Sequence, residues 1–196
     1  MHLTSDEVNV IEILPGGVVT KKATTHIRLD ENGEFVRNPE EDLVKVAVVE
    51  RHQGTGNVAC GFLKGYGIKE GAVALSVAHD SHNIIVVGVN DEEMEFAVNS
   101  LIEQEGGIVL VKDKKVIEQM PMPIAGLMSD QSGEWVDEKL TCIHEKAYTE
   151  LGICGDVEPV MTLCFMSLAV IPEIKLTDMG LFDVTTFSFI PVEISR

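Results

Sequence analysis

Five successive residues near the middle of the chain carry side chains that can move protons and hydrogen-bond a ligand. They are His79, Asp80, Ser81, His82 and Asn83. The apolar runs on either side, residues 72–78 and 84–88, are typical of short buried strands bounded by turn residues. The sequence therefore predicts a polar turn between two core strands, where a rigid frame can aim it at a ligand.

Two plainer interpretations of this turn remain open. Asp, Ser and Asn are common turn residues that hydrogen-bond their own backbone, and a histidine between strands is often a satisfied core residue. As a metal motif, His79 and His82 supply two ligands, whereas catalytic zinc usually takes three from the protein. We therefore expect no metal site in the turn.

A second group of candidates follows an alternating apolar segment, residues 43–50, that predicts a strand. The candidate ligand-binding residues are Glu50, Arg51, His52, Gly54, Thr55, Gly56 and Asn57. Asn57 is a good N-cap for a helix over residues 57–64, and backbone N–H groups at a helix N-terminus can hold an anion. The pattern matches neither a Walker loop nor a dinucleotide fingerprint, so the alternative is a tight turn with a plain Arg–Glu ion pair.

The elements that must position both groups mix strands with amphipathic helices. In chain order, the sequence predicts a hairpin or bent strand pair at residues 8–14 and 18–20, and then a helix that is capped by Asn90 and has an apolar stripe to residue 102. A hairpin at residues 108–120, a helix at residues 133–151 and a final strand near residues 187–193 follow. This mixture predicts an α+β fold with a mixed, mainly antiparallel sheet. We expect the helices to pack on one face of that sheet.

The composition indicates a single domain over residues 1–196, with residues 1–42 as an N-terminal hairpin subregion. Apolar residues make up 45% of the chain, enough for a sizeable core. The net charge of −17 argues against nucleic acid and membrane surfaces as partners, and no apolar run approaches the roughly 20 residues of a membrane span. There is no secretion signal and no Cys-x-x-Cys pair, so we expect a cytoplasmic protein.

Five blocks of sequence together resemble a known family. They are residues 50–57, 76–83, 123–129, 161–163 and 170–178. In order and spacing they are similar to the C-terminal domain of bacterial and archaeal adenine deaminases, and the resemblance covers residues 8–194. The departures are Gln53 and Lys114, where the family commonly has glycine, and Val160, where it commonly has phenylalanine.

The resemblance implies an enzyme larger than this chain. In related amidohydrolases a (β/α)8 barrel holds one or two divalent metals, Mn or Fe, and metal-activated water attacks C6 of adenine. Such a barrel needs about 200 residues by itself, and the six histidines of this chain include no His-x-His pair. We therefore expect the chain to lack the barrel and to hold no cofactor, whether it is a fragment, an excised domain or a natural stand-alone copy.

The expected partners and roles follow from the same resemblance. The partner is the barrel, in cis or in trans, with adenine as a candidate ligand and a homo-oligomer as the expected assembly. The turn with His79 would close the purine pocket or position a proton relay. The alternative is a stand-alone, non-catalytic module that binds a purine or a partner protein. Residues 123–129 would fill core under a loop or form a docking surface, and Lys175 and Asp178 are expected in a solvated loop.

Overall fold

The computed structural model describes residues 1–16 and 18–194. In chain order the strands are β1 (Glu7–Ile13), β2 (Thr20–His26), β3 (Arg28–Leu29), β4 (Phe35–Val36), β5 (Leu43–Val49), β6 (Val58–Lys64), β7 (Ala72–Leu75), β8 (Ile84–Gly88), β9 (Gly107–Lys112), β10 (Lys115–Pro121), β11 (Ile174–Thr177), β12 (Gly180–Asp183) and β13 (Ser188–Ile190). The helices are α1 (Asp91–Glu103) and α2 (Gly133–Thr149), with the short α3 (Pro159–Cys164) after them.

Eight of the strands form one large sheet, in the order β10-β9-β7-β8-β5-β6-β1-β2. Its neighbours pair antiparallel except β1 and β6, which pair parallel. Strands β11, β12 and β13 form a second antiparallel sheet, and β3 pairs with β4. The predicted α+β class with a mixed, mainly antiparallel sheet is confirmed. Among the described residues, no helix is long and apolar enough to cross a bilayer.

The large sheet is covered on both faces. On one face, α1 packs against a cluster that includes Ala72 and Ala74 of β7 and Val86 of β8. On the other face, α2 inserts Ile143 into the main core cluster, which contains Val73 and Leu75. The expectation that the helices cover one face is therefore wrong. Successive residues of a strand point to opposite faces, and in these central strands both sets are apolar.

Residues 58–64 form a strand and not the predicted helix. Strand β6 pairs with β5 along its whole length, from Val58 opposite Val49 to Lys64 opposite Leu43. Asn57 lies in the loop before it. The error has a physical reason, because the residue types that cap helices also favour turns, and strand pairing with a distant segment overrides a local helix signal.

The N-terminal hairpin is confirmed, but its second strand lies later than residues 18–20. Strand β2 pairs with β1 from Thr20 opposite Ile13 to His26 opposite Glu7. Five of its seven positions are at least half-exposed threonine, lysine or alanine, because β2 is an edge strand of the large sheet. An edge strand with few buried side chains lacks the apolar alternation that sequence patterns detect.

Lys175 lies inside the protein, and the prediction of a solvated loop is wrong for it. Its side chain is fully buried on β11, where Nζ donates to the backbone oxygen of Val18 at 2.8 Å. Asp178 is half-buried in the turn that follows β11. Neither β11 nor β12 was predicted, because each has only four residues and a charged residue interrupts or ends it.

The remaining predicted elements are confirmed with small changes at their ends. The side chain of Asn90 accepts the backbone N–H of Glu93 at 2.8 Å and caps α1. Helix α2 begins at the predicted Gly133, and its cap is the preceding Ser132. The predicted hairpin is β9 and β10. The strand predicted at residues 72–78 ends at Leu75, so the polar turn starts three residues earlier than expected.

Candidate functional site

The two groups of candidate residues meet at one end of the central strands. Residues 50–57 join β5 to β6, and residues 76–83 join β7 to β8. Strands β5 and β8 are antiparallel neighbours, with Val49 opposite Ile84. The end of one strand therefore lies beside the start of the other, and the pairing brings the two loops into contact.

Three hydrogen bonds hold the turn against the neighbouring loop. The Nε2 atom of His52 lies 2.7 Å from the backbone oxygen of Ser81. The backbone N–H of Arg51 donates to Oδ1 of the buried Asn83 at 3.3 Å, and its Nε donates to the backbone oxygen of His82 at 2.5 Å. The position of the turn relative to the neighbouring loop is thus held by residues 51 and 52.

The carboxylate of Glu50 occupies the centre of the 50–57 loop. It accepts the backbone N–H of His52, Gln53 and Thr55 at 2.5, 2.8 and 3.0 Å, and the hydroxyl of Thr55 at 3.0 Å. These donors, the N–H of Thr55 first, lower the pKa of Glu50 to about 2. The helix N-terminus that could have held an anion does not form, because a strand follows the loop. The N–H groups of His52, Gln53 and Thr55 are used by Glu50, which fits the alternative of a tight turn.

The rest of this loop is open to solvent. Gly54 and Gly56 have φ angles of +64° and +75°, a region that favours glycine, and they let the chain curl around the carboxylate. Both glycines, Thr55 and Asn57 are exposed. Their proposed contact with a ligand stays a prediction.

The histidines of the turn are supported by the segment after α3. The rings of His79 and His82 meet edge to face at 5.5 Å, and His79 packs on Phe165 at 4.7 Å between centroids. The backbone N–H of His79 donates to the oxygen of Cys164 at 2.9 Å, and Ser167 Oγ donates to the oxygen of His79 at 3.2 Å. Sequence reasoning missed Phe165 and Ser167, since no local pattern connects them to a turn 88 positions earlier.

The surroundings of His82 lower the pKa of its imidazole and so favour the uncharged form. Loss of solvation lowers its pKa, and the nearby His79 and Arg51 lower it further. Its Nδ1 is buried and has no hydrogen-bond partner among the described residues. The side chain as a whole is half-exposed, while Asp80 and Ser81 point to solvent. A neutral imidazole can both donate and accept a hydrogen bond, so the turn suits a neutral polar ligand.

A third loop, residues 121–130, completes this region, and we call the three loops together the site edge. Arg51 Nη2 donates to the backbone oxygen of Ala125 at 2.9 Å. Ser76 Oγ donates to the oxygen of Gly126 and accepts the N–H of Gly107, at 2.5 and 2.8 Å. A Cβ on Gly126 would lie 2.8 Å from Arg51 Nη1, so only glycine fits there without a shift of the guanidinium.

The third loop also presents apolar side chains to solvent. Ile124 is 46% exposed and Met128 is 57% exposed, while Leu127 is half-buried. The exposure of Ile124 and Met128 fits the alternative in which this segment forms a surface better than the alternative in which it fills the core. That another protein or domain docks there stays a prediction.

Within residues 1–16 and 18–194, no group of three or more His, Cys, Asp or Glu side chains is arranged to hold a metal ion. The chemistry that the site edge can perform is hydrogen bonding through imidazoles and exposed backbone groups. Two nitrogens of the Arg51 guanidinium, Nε and Nη2, donate to backbone oxygens of the protein itself, and the predicted contact of Arg51 with a ligand stays a prediction.

Comparison with known proteins finds similarity to adenine deaminases. The family model described as "Adenine deaminase C-terminal domain" matches residues 17–188. Adenine deaminase 2 of Desulfotalea psychrophila is 68% identical over 193 residues, which are 98% of this chain and 34% of the relative. Adenine deaminases of Ligilactobacillus salivarius and Halalkalibacterium halodurans are 50% and 46% identical over 99% of this chain, and 34% and 33% of their own lengths.

This chain thus spans about a third of the length of the curated relatives that it matches. Its likeness to them runs through the three loops of the site edge as well as the core, since the family match includes residues 50–130. These relatives favour a deaminase domain over a stand-alone binding module. The chain belongs to the adenine deaminase C-terminal domain family.

Proposed function

We propose that this chain serves as the C-terminal domain of an adenine deaminase, whose complete form hydrolyses adenine to hypoxanthine and ammonia. In that reaction water adds at C6 of the purine, the bond from C6 to the exocyclic nitrogen breaks, and ammonia leaves. The support is the family match over most of the chain, together with the third of the relatives' length that the chain covers. A separate catalytic barrel, in cis or in trans, would supply the remaining machinery.

Within that enzyme we assign the site edge to the closing of the purine pocket. The observation that carries this role is the meeting of three loops around the half-exposed imidazole of His82, whose pKa is lowered by its surroundings. Adenine is neutral and planar, with donors and acceptors along its edge. A neutral imidazole can match either kind of group without burying a charge. The exposed Ile124 and Met128 would pack against the barrel beside the pocket.

Three finer assignments belong to the same proposal. A divalent metal, Mn or Fe, would be held by the barrel and would supply the activation of the attacking water. The described residues of the present chain do not group into a ligand set for it. The free thiols of the four cysteines suit a cytoplasmic enzyme that recycles free adenine.

A chimeric enzyme tests the proposal. This chain replaces the matching third of the Desulfotalea psychrophila relative, and adenine hydrolysis is compared with that of the relative truncated before the match. We expect activity in the chimera and a loss of at least about tenfold in the truncated form. Activity no higher in the chimera than in the truncated form would overturn the proposal.

The role of His82 is tested in the same chimera with a matched control. His82→Ala is expected to lower kcat/KM about tenfold or more. His26→Ala, which removes an exposed histidine on the edge strand β2, should leave it unchanged. Equal effects of the two substitutions on kcat/KM would show that His82 does not take part in the purine pocket.

A further inference from the structure

The side chain of Arg51 bridges two loops of the site edge that belong to distant parts of the chain. Its Nε donates to the backbone oxygen of His82, and Nη2 donates to the backbone oxygen of Ala125. The two acceptors lie 31 and 74 positions from Arg51 in the sequence. One planar group therefore links the part of the polar turn that carries His82 to the third loop, residues 121–130, which we call the apolar loop.

The fit around the guanidinium is close. A Cβ added at Gly126 would lie 3.1 Å from both Cζ and Nη2 of Arg51, so the guanidinium would have to shift to admit a side chain. A planar guanidinium can donate from two edges at once, whereas a lysine ammonium is a point donor that reaches one oxygen well. The two backbone oxygens are therefore matched by the shape of an arginine guanidinium, and not only by its positive charge.

Other contacts at the site edge do not replace this bridge. Ser76 holds Gly126 from the first position after β7, but it lies six residues before His82 and does not contact it. The turn closes on itself through the N–H of His82, which donates to the oxygen of Ala78 at 2.6 Å. That bond sets the local shape of the turn, while Arg51 sets its position relative to the loop.

We propose that Arg51 is a positioning residue that couples the apolar loop carrying Ile124 to the turn carrying His82, so that packing of the barrel on the loop sets the place of the imidazole. This inference rests on the proposed function. It differs from the expectation that Arg51 binds a ligand, because the guanidinium donates inward to the protein's own backbone.

The chain contains a matched control for an experiment on Arg51. Arg37 is also half-buried, and its Nη1 and Nη2 donate to the backbone oxygens of Lys69 and Ile68 at 3.3 and 2.9 Å. Those residues precede β7, whereas the polar turn follows it, so Arg37 lies towards the opposite end of the strand. Arg51→Met and Arg37→Met therefore remove the same kind of interaction at two ends of the sheet.

In the chimeric deaminase, Arg51→Met is expected to lower kcat about tenfold or more, with the larger part of the loss in kcat and not in KM. Arg51→Lys should recover part of that loss, because the lysine can still reach one of the two oxygens. Arg37→Met should leave kcat unchanged. A kcat for Arg51→Met equal to that of Arg37→Met would overturn the inference.

The isolated chain gives a readout that does not depend on the proposed function. In Arg51→Met, amide hydrogen exchange at His82 and at Met128 should accelerate together by about tenfold, and neither should change in Arg37→Met. Loss of a nearby cation should also raise the pKa of His82. Unchanged or separately changed exchange at the two amides would contradict the coupling, whereas an inactive wild-type chimera would contradict the deaminase role alone.

Discussion

The Nε2 atom of His52 lies 2.7 Å from the backbone oxygen of Ser81. A carbonyl oxygen only accepts hydrogen bonds, so Nε2 carries a proton in this contact. His52 is exposed. The 50–57 loop is therefore tied by this side chain to the turn that carries His82.

Replacing Glu50 with glutamine should destabilise the chain at neutral pH, because the amide cannot accept from all the N–H groups that the carboxylate satisfies. The pKa of Glu50 is lowered to about 2 in the folded chain, from an ordinary value of 4.5. Its stabilisation is thus present above about pH 4.5 and lost as the pH falls towards 2. Melting temperatures of both proteins across pH 3–7 should converge at the acid end. Glu31→Gln, in an exposed turn, is the control, and a pH-independent gap would contradict the argument.

Replacing Lys175 with methionine should stabilise the chain at pH 7. Burial lowers the pKa of Lys175 from 10.5 to about 8, so the cost of its charge is present below pH 8 and disappears as the pH rises to 10.5. A shift of this size corresponds to about 3 kcal/mol, offset by about 1 kcal/mol for the lost bond to Val18. Urea unfolding at pH 7 and pH 10 measures the difference, which should shrink at pH 10. The exposed Lys21→Met should show no such trend.

The isolated chain is expected to have no adenine deaminase activity, even with added manganese or iron. It has no His-x-His pair, and its described residues group no metal ligands. Hypoxanthine formation by contaminant-free protein, followed over hours at high protein concentration, measures this. Turnover that a chelator abolishes would contradict the expectation.

His79 and His82 are expected not to form a stoichiometric metal site. They supply two ligands from one turn, and Nδ1 of His82 is buried against the protein. Elemental analysis of the purified chain should find far less than one transition metal per molecule. About one tightly held metal that is lost in His82→Ala would show the reverse.

The isolated chain should self-associate through residues 123–128, and association should strengthen as salt rises. The net charge of −17 opposes contact between copies, but salt screens that repulsion over a Debye length of about 8 Å, whereas burial of Ile124 and Met128 is not screened. Sedimentation velocity at several salt concentrations tests this. Ile124→Ser with Met128→Ser should weaken association, and Val170→Ser, at another exposed apolar position, should not. A strictly monomeric wild type would count against this surface.

The sequence predicted those parts of the fold that leave a local pattern. The apolar runs around the polar turn, the cap at Asn90 and the amphipathic helix from Gly133 all depend on neighbours within a few residues, and all three were correct. The helix predicted after Asn57 was wrong because asparagine is common both at helix caps and in turns. The solvated position predicted for Lys175 was wrong because the sequence does not distinguish a lysine that is buried against a backbone oxygen from a lysine in solvent.

The candidate site was predicted in pieces. Its two polar segments were identified separately, and their contact follows from the pairing of β5 with β8, which no local window contains. The same holds for Phe165 under His79 and for Ala125 against Arg51. The resemblance to a family identified the blocks of sequence. The contacts that bring those blocks together are tertiary and join residues far apart in the chain.

The burial of both faces of the large sheet has a consequence for how its strands find their register. In most half-buried sheets polarity distinguishes the two faces, but in β7 every side chain is buried. Size distinguishes them instead, since Ala72 and Ala74 face α1 while Val73 and Leu75 face the larger core. Helix α1 comes so close that a Cβ on Gly88 would lie 2.6 Å from Met94. A shift of β7 by one residue would place Val73 and Leu75 under α1 and leave voids on the opposite face of the sheet. The register of β7 is therefore set by the volumes of its side chains.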